Sequence, residues 1–177
     1  MQNKLSNDTY LPAEDTYFLE DHIKNEKGES ALDIGSGSGY LTKSLSKSFR
    51  FVVGTDVNLT ALKNQSNKPE NLVCCNSADA LQNKFDLIIC NMPYLASEEI
   101  SDVATDGGPE GLVIPMRIIK SAKHCLKQRG KFLFISSSLS NYEKLAELTR
   151  KEGFDVLIKA KKKLFFEELI LIEAKLL

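Results

Sequence analysis

Short apolar runs alternate with amphipathic segments along most of the chain, from about residue 12 to residue 152. The apolar runs predict buried strands, and segments with apolar residues three or four positions apart predict helices. The predicted strands are 31–34, 51–55, 72–75, 85–90 and 131–136. The predicted helices begin near Pro12, cover 40–48 and 59–66, follow Pro115, and lie between Ser140 and Gly153. This alternation predicts a parallel sheet with helices on both faces.

Two regions depart from the alternation. Residues 91–112 are polar and predict a long loop. Near the end, two further strands, 156–161 and 169–173, follow each other with no helical segment between them. Consecutive strands joined by a short connection pair as an antiparallel hairpin. We therefore expect a mostly parallel seven-stranded sheet that ends in an antiparallel hairpin.

Composition restricts the class of protein. The chain has 177 residues, a net charge of −1, 42% hydrophobic and 27% charged residues, which predicts one globular domain over 1–177. The near-neutral charge gives no general attraction to nucleic acid or to an anionic membrane. No apolar run approaches the ~20 residues of a membrane span, and the first residues do not form a signal peptide. We expect a cytoplasmic protein.

The polar residues that follow the strands indicate where a ligand binds. In an open parallel sheet, ligands bind in the crevice outside the carboxyl ends of the strands. The polar clusters at those ends are residues 33–39, Asp56, Asp79 and residues 91–94. We expect all four clusters to line one crevice.

The first cluster is a glycine-rich turn between a strand and a helix. Its residues Asp33, Gly35, Gly37 and Gly39 form a D-x-G-x-G-x-G pattern. The dinucleotide fingerprint G-x-G-x-x-G fails, because the third glycine would fall on Tyr40 or Thr42. The pattern instead resembles the first motif of class I methyltransferases, in which glycines let the backbone approach the cofactor closely.

Acidic residues follow the next two strands. An acid at the end of the second strand, here Asp56, accepts hydrogen bonds from the hydroxyl groups of a ribose. Asp79, with its neighbour Ala80, follows the third strand, where it could accept a hydrogen bond from an adenine amino group. Asp79 could equally be an ordinary solvated turn residue. The two acids indicate a nucleoside without specifying which one.

The tetrapeptide Asn91-Met-Pro-Tyr94 follows the buried fourth strand and resembles the N-P-P-Y motif of methyltransferases that act on planar nitrogens. The Asn91 side-chain oxygen and the Met92 carbonyl could each accept one N–H of the acceptor, and Tyr94 could stack on it. Pro93 holds Met92 in an extended conformation. We predict Asn91, Pro93 and Tyr94 as catalytic residues, and Asn91, Met92 and Tyr94 as substrate-binding residues. Met92 replaces the first proline of the motif.

With both motifs placed, the chain resembles the HemK family of protein-glutamine methyltransferases. Residues 10–16 resemble the family's Y-x-P-x-E-D-T opening, Asp106-Gly-Gly and Arg117 resemble its G-G-x-D-G segment and arginine, and residues 163–168 resemble its terminal hairpin. The resemblance implies a Rossmann-like class I fold with strand order 3-2-1-4-5-7-6. It implies S-adenosylmethionine as cofactor, with Asn91 and Thr16 beside it. It implies no metal.

The resemblance also implies a substrate and a partner. Bacterial members carry an N-terminal helical domain, which we expect this chain to lack, as the compact archaeal and eukaryotic members do. In that branch the substrate is the glutamine of the Gly-Gly-Gln loop of a peptide release factor, and a small zinc-binding protein is the activator. We expect the activator to add a strand to the edge strand 72–75, which contains no lysine, arginine or proline. Proline at Val73 should weaken that complex if the Val73 N–H faces outward.

Two other functions share these motifs. An adenine amino methyltransferase of DNA or RNA uses the same N-P-P-Y motif, and a non-catalytic module could bind the cofactor for a partner. Residues 91–111 contain five acids and no lysine or arginine, so this loop repels phosphate, which argues against nucleic acid as the substrate. The intact Asn91 and Tyr94 argue against the non-catalytic module.

Overall fold

The computed structural model describes residues 10–65, 71–82, 84–102 and 104–177. In these ranges it contains five α-helices: α1 Glu14–Ile23, α2 Tyr40–Leu45, α3 Leu59–Asn64, α4 Val113–Cys125 and α5 Tyr142–Lys151. The same ranges contain nine strands: β1 Gly28–Ile34, β2 Phe49–Asp56, β3 Leu72–Cys74, β4 Phe85–Asn91, β5 Leu95–Ala96, β6 Asp106–Gly108, β7 Leu126–Ser137, β8 Phe154–Lys163 and β9 Glu168–Leu176.

Seven of the strands form the main sheet, in the order β3-β2-β1-β4-β7-β9-β8. The pairs from β3 to β7 are parallel, and β9 is antiparallel to both β7 and β8. Counted over the main sheet alone, this order is 3-2-1-4-5-7-6. The predicted class I methyltransferase fold, including the antiparallel terminal hairpin, is confirmed.

Helices bury both faces of the sheet. One apolar cluster joins Phe132, Phe134 and Ile172 of the sheet to α4 and α5. The other joins Leu133 and Leu171 to α1 and α2. The central strands are therefore apolar on both faces, which explains why residues 85–90 read as a nearly continuous apolar run.

The register brings the ends of the central strands to one level. Ile34 pairs with Thr55 of β2 on one side and with Cys90 of β4 on the other. The glycine turn follows β1, Asp56 ends β2 and Asn91 ends β4. These three features therefore lie side by side at the carboxyl edge of the sheet.

The loop predicted over 91–112 is more ordered than its polarity suggested. Leu95 of β5 pairs with Asp106 of β6, and a 3₁₀ turn, Pro109–Gly111, follows. The loop prediction was wrong here because the pairing joins residues that are far apart in sequence and leave no local periodic signal. The two strands close the base of a flap, which we define as residues 97–102 and 104–105.

Two helix boundaries also differ from the prediction. Helix α4 begins two residues before Pro115, which is tolerated because a first-turn N–H needs no partner within the helix. The predicted capping box of Ser140 and Glu143 is absent from α5, whose cap is Asn141: its Oδ1 accepts the Lys144 N–H at 3.2 Å. Pro69, the expected end of the third helix, lies outside the described residues. No helix in the described ranges is long and apolar enough to cross a membrane.

Candidate active site

The carboxyl ends of the parallel strands open into a cavity of about 620 Å³. Small-molecule sites typically have volumes of ~300–1,000 Å³, so the cavity suits a nucleoside together with a reacting group. Most of the predicted site residues line it: Thr16, Gly35, Gly37, Asp56, Asn91, Met92, Pro93 and Tyr94. The expectation of one shared crevice therefore holds for the glycine turn, Asp56 and the Asn91-to-Tyr94 tetrapeptide.

The glycine turn is fixed over the end of β2. The Gly35 and Ser36 N–H groups both donate to the Thr55 carbonyl at 2.8 Å. Gly35 and Gly37 have φ values of +74° and +48°, which an L side chain adopts only with strain. A Cβ built on Gly35 would meet no atom within 4 Å, because the turn faces the open cavity there. Glycine thus leaves room at this wall for a ligand to approach the backbone.

Asp56 joins the turn to the cavity. Its Oδ2 accepts the Gly37 N–H and its Oδ1 accepts the Asn58 N–H, each at 2.8 Å. Each carboxylate oxygen has lone pairs for a second hydrogen bond. Asp56 is therefore held by the backbone in an orientation from which it can also accept from hydroxyl groups of a ligand in the cavity.

Two predicted cofactor residues belong to the support of the glycine turn and do not line the cavity. Asp33 is buried under the turn, and its Oδ2 accepts the Thr42 hydroxyl at 2.6 Å. Burial raises the pKa of Asp33 to about 7. Gly39 starts α2 with φ +79°, and a Cβ there would meet Gln65 Oε1 at 2.6 Å. Both residues shape the turn from behind, and neither lines the cavity, so their cofactor contacts stay a prediction.

Asp79 and Ala80 also lie outside the described cavity wall. Asp79 Oδ1 instead accepts the Ser121 hydroxyl from α4 at 2.5 Å. The wall after β3 is formed by Asn76 and Ser77, three residues earlier in the chain than predicted. The sequence could not show this, because the partner of Asp79 lies 42 positions away.

Asn91 ends β4 at the centre of the cavity wall. Its Nδ2 lies 3.5 Å from Thr16 Oγ1 at the start of α1, a long hydrogen bond that brings helix and strand together. Its Oδ1 is buried and has no hydrogen-bond partner among the described residues. An unpaired buried carbonyl is unfavourable by roughly 1–3 kcal/mol. An N–H group brought by a ligand would remove this cost, so Asn91 has the property expected of an acceptor-binding residue.

Tyr94 lies beside two acids from distant parts of the chain. Burial, and then the charges of Asp15 and Glu167, raise the pKa of Tyr94 above its ordinary value. Its phenol stays protonated at neutral pH and cannot act as a base. Asp15 is itself buried and accepts the Tyr10 hydroxyl at 2.7 Å. The roles of Tyr10, Asp15 and Glu167 in the cavity wall were missed from the sequence, although Tyr10 and Asp15 belong to the opening motif.

The segment of residues 106–111 packs directly on the Asn91-to-Tyr94 tetrapeptide. A Cβ on Gly107 would lie 2.8 Å from the Pro93 carbonyl oxygen, and one on Gly111 would lie 2.3 Å from the Tyr94 carbonyl oxygen. The Leu95 N–H also donates to the Thr105 carbonyl at 2.9 Å. Glycine is required at both positions because the two backbones touch. The segment acts as a brace behind the tetrapeptide.

The cavity rim is predominantly acidic. Its acidic and basic side chains are Arg117 and five carboxylic acids: Asp15, Asp56, Glu99, Asp102 and Glu167. Two of the acids, Glu99 and Asp102, lie on the flap, which also supplies Ile100 to the wall. The Ser101 and Asp102 N–H groups donate to Asp106 Oδ2 at 2.8 and 2.9 Å, and these bonds lower the pKa of Asp106. The flap therefore has a fixed connection to its base.

Comparison with known proteins identifies the fold and the family. Residues 14–165 match the model of the family described as "Methyltransferase small domain". The Mtq2 chain in the Mtq2–Trm112 complex of E. cuniculi superposes with a TM-score of 0.82 over 96% of this chain and 99% of that one, at 24% identity. A Methanocaldococcus jannaschii protein assigned as a protein N5-glutamine methyltransferase is 33% identical over 97% of this chain and 93% of its own length.

The chain belongs to the HemK family of protein N5-glutamine methyltransferases. The release factor glutamine methyltransferase of Streptococcus pneumoniae is 28% identical, over 85% of this chain and 62% of its own length. Solved structures with the same fold contain S-adenosylmethionine or S-adenosylhomocysteine. The methyltransferase is an enzyme, and S-adenosylmethionine is its cofactor.

The cavity of the methyltransferase fits this cofactor. The open space over Gly35 admits a ligand against the backbone, and the backbone-bound Asp56 carboxylate faces the same space. We expect Gly35 and Gly37 to approach the methionine part, Asp56 to hold the ribose, and Asn76 and Ser77 to lie beside the adenine. Thr16 and Asn91 complete the wall where the methyl group would be presented.

Asp56→Ala is expected to weaken S-adenosylmethionine binding by about 1.5–3 kcal/mol, the range for a hydrogen bond to a charged group. Asp56→Asn keeps one oxygen acceptor and should lose less. Isothermal titration calorimetry measures both affinities. Thermal unfolding of the cofactor-free variants controls for damage to the Gly37 anchor. Equal cofactor affinity in Asp56→Ala and the wild type would place the ribose elsewhere.

Proposed function

We propose that the methyltransferase methylates the side-chain amide of the glutamine in the Gly-Gly-Gln loop of a peptide release factor. The observation that carries the proposal is the buried, unpartnered Oδ1 of Asn91 at the centre of the cavity wall. The curated relatives support the acceptor, because they include release factor glutamine methyltransferases and a fission-yeast eRF1 methyltransferase catalytic subunit.

The proposed mechanism depends on positioning. An amide nitrogen is a weak nucleophile because its lone pair is delocalised. S-adenosylmethionine supplies an electrophilic methyl group on a positively charged sulfur. Asn91 Oδ1 accepts one N–H of the glutamine amide, the Met92 carbonyl accepts the other, and the nitrogen is then held in line with the methyl group. Holding reacting atoms ~3–3.5 Å apart in the correct direction provides most of the acceleration.

Neighbouring residues complete the proposed acceptor site. Tyr94 presents a neutral aromatic ring to the planar amide, and Pro93 keeps the backbone extended. The Met92 side chain belongs to the apolar core. It therefore replaces the motif's first proline as a packing residue, and its carbonyl remains available as an acceptor.

The charge of the rim supports a protein acceptor over a nucleic acid. Glu99, Asp102 and Glu167 line the cavity, and carboxylates repel a phosphate backbone. Three of the four lysines of β8 offset this effect little, because Lys159, Lys161 and Lys162 are paired with carboxylates of Glu173, Glu168 and Glu14. A cytoplasmic location is part of the proposal, since translation factors act there.

A methyl-transfer assay tests the proposed substrate. The methyltransferase and labelled S-adenosylmethionine are incubated with one of three acceptors. These are a release factor, the same factor with the glutamine of its Gly-Gly-Gln loop changed to alanine, and adenine-containing single-stranded DNA. We expect label only in the unchanged release factor. Label in the DNA, or undiminished label in the alanine variant, contradicts the proposal.

We also propose a small zinc-binding activator protein as partner at the edge strand β3. The Mtq2–Trm112 complex is a fold neighbour and supports a partner of this kind. Along β3, the Asn71 carbonyl accepts from Gly54, and the Cys75 N–H donates to Asp56. Because alternate residues of a strand face the same neighbour, the Val73 N–H points to β2, and those of Leu72 and Cys74 point outward. Proline at Val73 would break the main sheet and is the wrong test.

Cys74→Pro is therefore expected to weaken binding of the activator, because it removes an outward N–H from the exposed edge. Cys74→Ala is the matched control, since it removes only the thiol. Co-expression and gel filtration measure the complex, and thermal unfolding shows that both variants are folded. Equal complex formation by the two variants contradicts strand addition at this edge.

A further inference from the structure

Two adjacent phenylalanines occupy the tip of the β8–β9 hairpin. Phe165 and Phe166 are 91% and 85% exposed, with their rings edge to face and centroids 4.6 Å apart. They are the two most exposed large apolar side chains of the described residues. Adjacent exposed aromatic rings on a protein surface indicate a contact with another molecule.

The hairpin turn is held firmly on both sides of the pair. The Leu164 N–H donates to the Glu167 carbonyl at 2.8 Å, and the Leu164 side chain packs on the core cluster of α1 and α2. The Ser137 hydroxyl, at the end of β7, donates to the Glu167 carboxylate. The Glu168 N–H donates to Ser138 Oγ at 2.9 Å. The anchored turn fixes the position of the two exposed rings.

Neither folding nor turn chemistry explains the two phenylalanines. The central positions of a tight turn favour Gly, Pro, Asn, Asp and Ser, because these residues suit its backbone conformations. The aromatic rings bury almost no area against the rest of the described chain. The fold therefore gains nothing from Phe165 and Phe166 that a polar turn would not provide.

The tip adjoins the active-site cavity. Glu167 lines the cavity, where its charge helps to raise the pKa of Tyr94. Phe166 precedes Glu167 in the chain, and consecutive Cα atoms lie ~3.8 Å apart. The flap also lines this cavity, with the acids Glu99 and Asp102 and the apolar Ile100. An acceptor loop that reaches Asn91 must pass this rim. The rim thus presents apolar rings beside negative charge.

We infer that Phe165 and Phe166 form a docking surface for the acceptor protein, and that the acidic flap binds basic residues beside the acceptor loop. The occupant that fits is the folded domain that carries the acceptor glutamine, with an apolar patch and nearby Lys or Arg side chains. Aromatic anchors beside complementary charge are the features that provide affinity and orientation in protein interfaces. The inference rests on the proposed function, because it assigns a surface to the same acceptor.

The test is the double substitution F165S/F166S, assayed with the cofactor-loaded methyltransferase and a whole release factor. We expect KM for the factor to rise at least tenfold, with kcat and S-adenosylmethionine affinity unchanged, because the substitution removes contacts made outside the reacting centre. F165L/F166L should retain part of the affinity. With a short peptide containing only Gly-Gly-Gln, the double serine variant and the wild type should react equally, since the peptide cannot reach the tip.

Leu157→Ser is the matched control, because Leu157 is 59% exposed on β8, six residues and so ~20 Å before the end of the strand that leads to the tip. Its KM should equal that of the wild type. An active wild type whose KM is unchanged by F165S/F166S overturns the docking surface alone. If the wild type is a dimer and F165S/F166S dissociates it without changing KM, the tip binds a second copy of the chain. This outcome also overturns the docking surface. A wild type that binds cofactor but never methylates the factor overturns the proposed function and the docking surface together.

Discussion

Asn91→Ala is expected to lower kcat for methyl transfer at least about 100-fold while leaving S-adenosylmethionine affinity nearly unchanged. The loss is of the size seen when one preorganised hydrogen-bonding group is removed from an active site. Asn91 Oδ1 has no partner among the described residues, and Nδ2 makes only a long hydrogen bond of 3.5 Å with Thr16 Oγ1, so the substitution should affect the fold little. We expect Asn91 to bind the acceptor in the transition state. Its removal should therefore lower kcat and change cofactor affinity little.

Single-turnover assays at saturating cofactor, together with calorimetry, measure the two quantities separately. Asn76→Ala is the matched control, because it removes the same type of side chain from the part of the cavity wall that follows β3. That control should weaken cofactor binding and keep turnover at saturating cofactor within several-fold of the wild type. Parallel losses of affinity and kcat in Asn91→Ala would assign Asn91 to the cofactor and remove its role in aligning the acceptor.

Gly111→Ala is expected to damage both stability and activity. Gly111 has φ +68°, and the new Cβ would meet the Tyr94 carbonyl oxygen at 2.3 Å and Ser140 Cβ at 2.6 Å. Overpacking with backbone displacement and a strained φ should reduce the free energy of unfolding by about 2–4 kcal/mol. The displaced atom belongs to the Asn91-to-Tyr94 tetrapeptide, which we propose to hold the acceptor, so kcat should fall more than tenfold even at temperatures where the variant is fully folded.

Gly153→Ala separates backbone strain from collision. Gly153 also has a positive φ, +94°, but the nearest atom to its new Cβ would be the flexible Lys123 Nζ at 3.6 Å, away from the cavity. We expect a loss of about 1–2 kcal/mol, the cost of a left-handed L residue, with kcat unchanged. Thermal unfolding and turnover measure both variants. If Gly111→Ala and Gly153→Ala have the same kcat, the brace does not position the tetrapeptide.

The sequence was sufficient for the fold because the relevant signals are local. Each strand of the parallel sheet is an apolar run that ends in a polar residue, and the carboxyl edge follows from that order. This placed Gly35, Asp56 and Asn91 together without coordinates, and the register confirms it. The terminal hairpin was visible because no helical segment separates its strands.

Contacts between distant segments were not predictable. Asp79 has the sequence position of a ligand-binding acid, yet its Oδ1 accepts the Ser121 hydroxyl and the residue does not line the cavity. The brace of Gly107 and Gly111 needs the close approach of two backbones, for which the sequence shows only glycines. Glu167 reaches the cavity from the last hairpin, far from every motif at the strand ends. Such contacts depend on how the layers pack, and no periodic pattern encodes them.

The most direct test of the central claim is site-resolved mass spectrometry of a release factor after reaction with the wild-type enzyme and with Asn91→Ala. We expect one added methyl group, on the side-chain amide of the glutamine in the Gly-Gly-Gln loop, with the wild type only. A methyl group on any other residue of the factor, or an equal yield at that glutamine with Asn91→Ala, would contradict the claim that Asn91 aligns a glutamine amide for methyl transfer.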